Sequence, residues 1–226
     1  MKVKVPTVNP VAKTTSDKVV VVRAINEEQK QALETINNNK ITFLTGIAGS
    51  GKTEISIGYA LQMLMRGKYK RLIVTRPAVL ADEDLGYMPG NYMEKMGYFL
   101  TPSYDAFSNY LSQEDINKMT NDGTILVIPL GYFRGITLRN SILVVDEAQN
   151  TTVKQMRMIL TRLGESSKII VNGDLRQVDL EERTNGLQHA CKYLTDIDGI
   201  GYHNFSDQSV VRDKIIVDIE NRYNQF

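Results

Sequence analysis

Several residue types on which recognisable sites depend are scarce in this sequence. It contains one cysteine and two histidines, so an internal disulfide framework is excluded and a zinc site has few ligands to draw on. A single cysteine fits a reducing compartment, and we therefore expect a cytoplasmic protein. That residue, Cys191, lies within LQHACKYL and suits a small position in the core of a helix.

Excess charge and long apolar runs are also lacking. The 226 residues include 27 Lys+Arg and 26 Asp+Glu, a net charge of +1, so any contact with nucleic acid must come from a local patch. No stretch approaches the roughly 20 apolar residues that cross a bilayer, and MKVKVPTVNP at the start has no apolar segment of the signal-peptide type. We expect no membrane contact, a flexible N-terminal arm over 1–17, and a single domain over 18–226.

Apolar runs that alternate with helical patterns indicate the fold. Asn26 precedes a helical pattern and is placed to cap it, and another helical pattern covers 152–163. Strands are predicted over 19–22, 41–45, 71–77, 124–129, 141–147 and 168–174. This order predicts an α/β fold with a mostly parallel sheet, helices on both faces, and ligands at the carboxyl ends of the strands.

The stretch GIAGSGKT, over 46–53, lies between a predicted strand and a helical pattern. This context is the one that the phosphate-binding loop of P-loop NTPases requires, because glycines let successive backbone N–H groups point at phosphate oxygens. Lys52 can reach the β- and γ-phosphates, and the Thr53 hydroxyl is placed to ligate magnesium. We therefore expect ATP and Mg²⁺ as ligands, bound by Gly46, Ile47, Ala48, Gly49, Ser50, Gly51, Lys52 and Thr53.

Two adjacent acids follow the apolar strand residues in LVVDEAQN, over 143–150. Adjacent carboxylates repel each other unless a cation lies beside them. In a P-loop NTPase, Asp146 would hold the magnesium ion and Glu147 would orient and deprotonate the attacking water. Without that context, the same residues would read as a strand that runs into a helix cap, with Asp146 in a solvated turn.

The combination of motifs resembles the PhoH-like proteins, a family of P-loop ATPases related to the first motor domain of superfamily-1 helicases. The family usually has Gly at 82, Pro at 47 and Thr at 172, where this sequence has Asp82, Ile47 and Asn172. The resemblance is carried, in the family's order, by VTRPAVLADEDLGYMPG (74–90), GYFRGITLRNSILVVDEAQNTT (131–152), MRMILTRLGESSKIIVNGDLRQVD (156–179) and SVVRDKIIVDI (209–219).

The resemblance implies a RecA-like fold, hydrolysis of ATP, and a homo-oligomer such as a hexameric ring that acts on RNA or single-stranded DNA. Gln177 resembles a sensor of the γ-phosphate, and Asp174 would orient its loop or a magnesium-bound water. Gln29 resembles the glutamine that binds the adenine edge, although its spacing from Asn26 also fits a capping box.

The resemblance also assigns roles to two arginines. Arg76 would contact a nucleic-acid backbone, or else form an ion pair with the acidic stretch 82–84. Arg212 would be an arginine finger, with Arg183 as the alternative. The aromatic residues within 81–123 are either core or a surface for base stacking or for a neighbouring subunit. A nucleotide-gated binding module with little turnover is the alternative function, which Glu147 and Gln177 disfavour.

Overall fold

The computed structural model describes residues 19–77, 101–177 and 185–206, together with residues 215, 219 and 222. The helices in these ranges are α1 (Glu27–Asn38), α2 (Lys52–Met65), α3 (101–108), α4 (Gln113–Asn121), α5 (Val153–Leu160) and α6 (Gly186–Leu194). The strands are β1 (Ile41–Thr45), β2 (Arg71–Thr75), β3 (Ile125–Val127), β4 (Ser141–Val145), β5 (Lys168–Gly173) and β6 (Ile200–Asn204).

The six strands form one sheet in the order β3-β2-β4-β5-β1-β6. Every pair of neighbouring strands is parallel, so the carboxyl ends of all six lie at one edge. The prediction of a mostly parallel sheet is confirmed. Its two central strands are β4 and β5, and their carboxyl ends lead into the acidic pair and into Asp174.

Both faces of the sheet are covered, as the apolar strand residues predict. In β4, Ile142 and Val144 belong to a core shared with α1, α2, α3 and α4. Leu143 and Val145 belong to a second core shared with α5 and α6. All four side chains are fully buried, because a strand buried on both faces has no polar side to present to water.

A buried lysine ties β5 to the end of α1. Lys168, the first residue of β5, donates hydrogen bonds from Nζ to the carbonyl oxygens of Ile36 and Asn39, and to Asn37 O at 3.4 Å. These carbonyls have no partner within the helix, so a cation there completes the helix end. Burial, with a contribution from Lys68, lowers the pKa of Lys168 to about 8.

The sequence prediction was wrong about the strand over 19–22. This segment is extended but, among the described residues, pairs with no strand: the Val22 backbone N–H donates to Gln62 Oε1 on α2 at 2.9 Å. Val20 is buried against that helix, whereas Val19 and Val21 face solvent. The alternation of buried and exposed valines therefore reflects packing of this segment against α2. The edge position beside β1 is occupied by β6.

The aromatic stretch is described only from residue 101 onward. Within it Phe107 is fully buried and packs edge-on against Tyr104, which confirms the core interpretation for these residues. The other aromatics of that prediction, over 87–99, lie outside the described residues. No helix in the described ranges is long and apolar enough to cross a membrane.

Candidate functional site

A cleft of about 860 Å³ opens where the carboxyl ends of β1, β4 and β5 meet. Its size lies within the range of roughly 300–1,000 Å³ that is usual for ligand sites. Most of the residues singled out from the sequence line it: Gln29, Ala48, Gly49, Gly51, Lys52, Thr53, Asp146, Glu147, Asp174 and Gln177. The fold therefore brings together residues separated by nearly 150 positions along the chain.

The loop between β1 and α2 closes around the Lys52 ammonium. Nζ donates to Gly46 O at 2.7 Å, to Ile47 O at 2.9 Å and to Ser50 Oγ at 3.3 Å. Gly51 precedes the first turn of α2 with φ of +87°, a conformation that L side chains rarely adopt. The amino terminus of α2 and the ammonium thus lie together in the loop, an arrangement suited to a phosphate group.

Thr53 and Asp146 meet across the cleft floor, as the magnesium assignment requires. Thr53 Oγ1 donates to Asp146 Oδ1 at 2.9 Å. Asn172 Nδ2 reaches the same oxygen at 3.4 Å and donates to Ser56 Oγ at 2.6 Å. Asn172, one of the three departures from the usual family residues, therefore contacts the predicted magnesium ligand Asp146.

The electrostatics of Asp146 fit a cation. Burial raises the pKa of this carboxyl above its usual range and the Glu147 charge raises it further, while Arg76, Thr53 and Asn172 act in the opposite direction. Two buried oxygens near it, Asn172 Oδ1 and Thr75 Oγ1, have no hydrogen-bond partner among the described residues. A hydrated magnesium ion would stabilise the buried carboxylate and supply donors to such oxygens, so these residues fit it.

Glu147 lies at a backbone bend and makes two polar contacts. It has φ of +51° and ψ of +41°, the left-handed region, at the start of a short 3-10 helix over Ala148–Asn150. Oε1 accepts from Arg76 Nη2 at 2.8 Å, and Oε2 accepts from Gln149 Nε2 at 2.6 Å. Such strain in a residue other than glycine, about 1–3 kcal/mol, is typical of functional sites.

Gln149 belongs to the LVVDEAQN stretch and lies at the site, although the motif itself assigns it no role. Its side chain is almost fully buried. Besides Glu147, its Nε2 approaches Gln177 Oε1 at 3.4 Å, and its Oε1 accepts from the Asp174 backbone N–H at 3.1 Å. One amide therefore connects the loop after β4 with the loop after β5. The only signal in the sequence is its position, two residues after Glu147.

Gln29 follows a capped helix start, but its side chain does not complete a capping box, and its contact with adenine stays a prediction. Its backbone N–H donates to Asn26 Oδ1 at 2.8 Å, so Asn26 caps α1 as predicted. Its side chain is buried, accepts from the Ile25 backbone N–H at 3.0 Å, and lies against Gly51. The glutamine thus orders the entry to α1 and also lines the cleft beside the loop.

The remaining predictions fall into three groups. Gly46 and Ile47 line a separate cavity of about 70 Å³ and Ser50 is buried, so these three shape the loop without lining the cleft. Arg76 forms its ion pair with Glu147; the acidic stretch 82–84 lies outside the described residues. Arg212 and Arg183 also lie outside them, and their roles stay predictions.

Part of the cleft wall was not foreseen. Val21 and Ile25, which precede α1, and Asn109 and Tyr110, which lie just after α3, also line the cleft. Nothing in the sequence marks them, because the extended segment reads as a strand and the aromatics read as core. Asp174 accepts from the Arg176 backbone N–H at 2.8 Å, which favours the role of orienting its own loop.

Comparisons with known proteins agree with this geometry. A family model described as PhoH-like protein matches residues 21–224. A PhoH-like protein of Synechocystis sp. is 43% identical over 204 residues, which cover 90% of this chain and 62% of that protein. A PhoH-like protein of Bacillus subtilis is 38% identical and covers 90% of this chain and 64% of its own length. Protein PhoH of Escherichia coli K12 is also 38% identical, over 84% of this chain and 55% of its own length.

The chain therefore spans about three fifths of the length of these relatives. Among solved structures, the large terminase of a thermophilic bacteriophage superposes with a TM-score of 0.52 at 13% identity, over 88% of this chain and 50% of the terminase. At that identity the likeness concerns the fold alone. The predicted RecA-like P-loop NTPase fold is confirmed.

Proposed function

Because this chain belongs to the PhoH-like protein family, we propose that it is a magnesium-dependent ATPase whose active site is the cleft above β1, β4 and β5. The observation that carries the proposal is the contact of 2.9 Å between Thr53 and Asp146. The P-loop hydroxyl and the strand-end carboxylate are therefore close enough to ligate the same ion. Lys52 and the amino terminus of α2 lie on the adjoining side of the cleft.

Each residue has a role that its surroundings support. Lys52 compensates the charge of the β- and γ-phosphates, and Thr53 with Asp146 would hold Mg²⁺. When bound, Mg²⁺ neutralises charge that develops on the phosphate oxygens. Glu147 takes a proton from the attacking water while the oxygen–phosphorus bond forms and the bond to the bridging oxygen breaks, releasing ADP and phosphate. Gln177 donates to the γ-phosphate or accepts from that water.

The test is phosphate release from ATP in the presence of Mg²⁺, with three variants. Lys52→Ala should abolish nucleotide binding or turnover. Glu147→Gln should retain ATP and Mg²⁺ but lower the rate by at least about 10², since general-base contributions are typically about 10²–10⁴. Asp146→Asn should raise the concentration of Mg²⁺ needed for half-maximal activity. Hydrolysis by Lys52→Ala at the wild-type rate would show that the cleft is not the active site.

A binding module with little turnover is the second candidate, and one observation favours it. Both carboxylate oxygens of Glu147 accept hydrogen bonds from protein donors, Arg76 and Gln149, so a structural role for this residue also accounts for its contacts. Rapid ATP binding with no phosphate release, unchanged by Glu147→Gln, would select this candidate over the ATPase.

We also propose that the working form is a homo-oligomer, such as a ring of six, acting on RNA or single-stranded DNA. The proposal is supported by the resemblance of the motifs to superfamily-1 motors, which place ATP between two such domains, whereas the described residues form one sheet of this kind. If Arg212 completes a neighbour's site, a mixture of Arg212→Ala and Glu147→Gln should recover activity once subunits exchange. Exchange of labelled subunits without recovery would contradict a finger that acts between subunits.

A further inference from the structure

The ion pair between Arg76 and Glu147 is not needed for the hydrolysis chemistry. Arg76 Nη2 donates to Glu147 Oε1 at 2.8 Å, and Gln149 Nε2 donates to Oε2 at 2.6 Å. A general base must present a lone pair to the water that it deprotonates. Each carboxylate oxygen keeps a second lone pair, but the two donors fix the plane of the carboxylate, so Arg76 helps to decide whether Glu147 faces a water.

The strand pairing explains why Arg76 reaches the acidic pair. Thr75 lies opposite Val145 in the β2–β4 register, and the Asp146 backbone N–H donates to Thr75 O at 2.9 Å. The register therefore brings Arg76 beside Asp146, and the left-handed bend at the next residue, Glu147, leaves its carboxylate within reach of the guanidinium. The pairing of β2 with β4 therefore brings Arg76 and Glu147 close together, and the side-chain rotamers complete the contact.

Arg76 approaches Glu147 from outside the nucleotide cleft. Among the described residues, Glu147 lines the cleft and Arg76 does not. The guanidinium is consequently poorly placed to contact ATP, but its side chain is 21% exposed, and that of Glu147 is 38% exposed. A ligand on the outer surface could therefore reach the arginine without entering the cleft.

Water reaches both side chains of this ion pair, which are partly exposed, so an external anion can compete for it. Exposed pairs typically shift an equilibrium by no more than about five-fold, because water screens them and the long side chains lose freedom. A phosphodiester group is a strong competitor, since a guanidinium binds phosphate oxygens through two parallel hydrogen bonds. The pair can thus be exchanged for an external anion with little loss of free energy.

We propose that Arg76 is a latch on Glu147, and that the phosphodiester backbone of a single-stranded nucleic acid releases it. While Arg76 holds Glu147, the base is turned from the attacking water; when a backbone phosphate takes the guanidinium, the carboxylate is free to accept the proton. Polynucleotide binding and ATP hydrolysis become coupled through one side chain. This proposal rests on the ATPase function proposed above.

The coupling is reciprocal, which provides a test that does not depend on activity. If Glu147 competes with phosphate for Arg76, removing the carboxylate charge should tighten polynucleotide binding. We expect Glu147→Gln to bind labelled oligouridylate or oligothymidylate about two- to five-fold more tightly than the wild type, from the strength of exposed pairs. Arg76→Gln should bind more weakly, and Glu147→Gln should have no further effect in the Arg76→Gln background.

Fluorescence anisotropy with both oligonucleotides, at one fixed salt concentration, measures these affinities. Arg139→Gln is the matched control, because Arg139 is an exposed arginine before the amino end of β4, at the opposite edge of the sheet. It should leave the effect of Glu147→Gln unchanged. Equal affinities of the wild type and Glu147→Gln, or no binding of either oligonucleotide, would overturn the latch. A response to one oligonucleotide alone identifies RNA or DNA as the source of the phosphate.

Phosphate release measured with and without the oligonucleotide provides the second test. Arg76→Gln should raise the basal rate and remove stimulation, while Arg139→Gln should keep both wild-type values. A lower basal rate with stimulation intact would make Arg76 a residue that positions Glu147 and would refute the latch. If no variant hydrolyses ATP, the ATPase proposal fails, and the binding measurements still decide the latch. Thermal unfolding of each variant, with Arg76→Lys as a second substitution, excludes misfolding as the cause.

Discussion

Replacing Gln149 by methionine tests whether one buried amide holds together the loops that follow β4 and β5. Methionine has nearly the same length, so the substitution removes hydrogen bonds with little change in packing. The Asp174 backbone N–H, which donates to Gln149 Oε1 at 3.1 Å, loses its acceptor in a buried position. An unsatisfied buried donor costs about 1–3 kcal/mol. Glu147 is partly exposed and can turn to water, so we assign most of the loss of stability to Asp174.

The expected result is a fall of about 1–3 kcal/mol in the free energy of unfolding, measured by urea denaturation. The maximal rate of ATP hydrolysis should fall as well, since Glu147 and Gln177 no longer share a donor, while nucleotide affinity stays near the wild-type value. Lys52 and Thr53, which would bind the phosphates and the ion, do not contact Gln149 through any hydrogen bond described above.

Gln155→Met is a matched control for this prediction. Gln155 Oε1 accepts from the Thr152 backbone N–H at 2.8 Å in the capping box of α5, away from the cleft. Its loss should destabilise the protein by about 0.5–2 kcal/mol and leave the rate of hydrolysis unchanged. If Gln149→Met unfolded and hydrolysed ATP like the wild type, the connection between the two loops would have no energetic or catalytic significance.

Two further predictions concern the loop and the core. Gly51→Ala should weaken binding of a fluorescent ATP analogue by at least about 10-fold, since φ is +87° and the new Cβ would lie 2.5 Å from Gln29 Nε2. Gly67→Ala is the control: φ is +70°, but nothing lies within 4 Å of the new Cβ, so it should destabilise the protein without changing nucleotide affinity. Equal effects of the two substitutions on nucleotide affinity would contradict a specific contact at Gly51. Burial, with a contribution from the Tyr69 charge, raises the pKa of Tyr59 to about 12, so the neutral phenol favours the folded state. The contribution of Tyr59 to the free energy of unfolding is complete below about pH 10, the ordinary tyrosine pKa, and is lost as the pH rises to 12. Tyr59→Phe should therefore make the melting temperature less dependent on pH across that window, and an unchanged dependence would mean that Tyr59 does not titrate differently in the folded state.

The parts of the fold that sequence predicted well are those in which local pattern and tertiary role agree. The β-branched runs of β2, β4 and β5 are buried on both faces, so their composition alone distinguishes them. β6, with IGYHN, was missed because it lies at a sheet edge and is half exposed. A strand of that kind carries no continuous apolar signal.

The sequence singled out individual residues of the candidate site, but it did not predict which of these residues contact one another. The strand–loop–helix context identifies Lys52 and Thr53, and the end of a buried strand identifies Asp146. The contacts of Glu147 with Arg76 and Gln149 depend on the register between β2 and β4 and on a left-handed backbone at residue 147. Neither property can be read from a single sequence, because each arises from pairing between distant segments.

The position of β1 in the sheet has a consequence for the order in which the protein can form during synthesis. β1 carries the phosphate-binding loop, yet its two neighbours are β5 and β6, which are made last among the described strands. Until residue 204 has left the ribosome, β1 lacks at least one of its two neighbouring strands, while β2, β3 and β4 can already pair. Contacts between distant segments form slowly because long loops must close first. A nascent chain that stops after β4 should therefore hold a folded half-sheet and still fail to retain nucleotide.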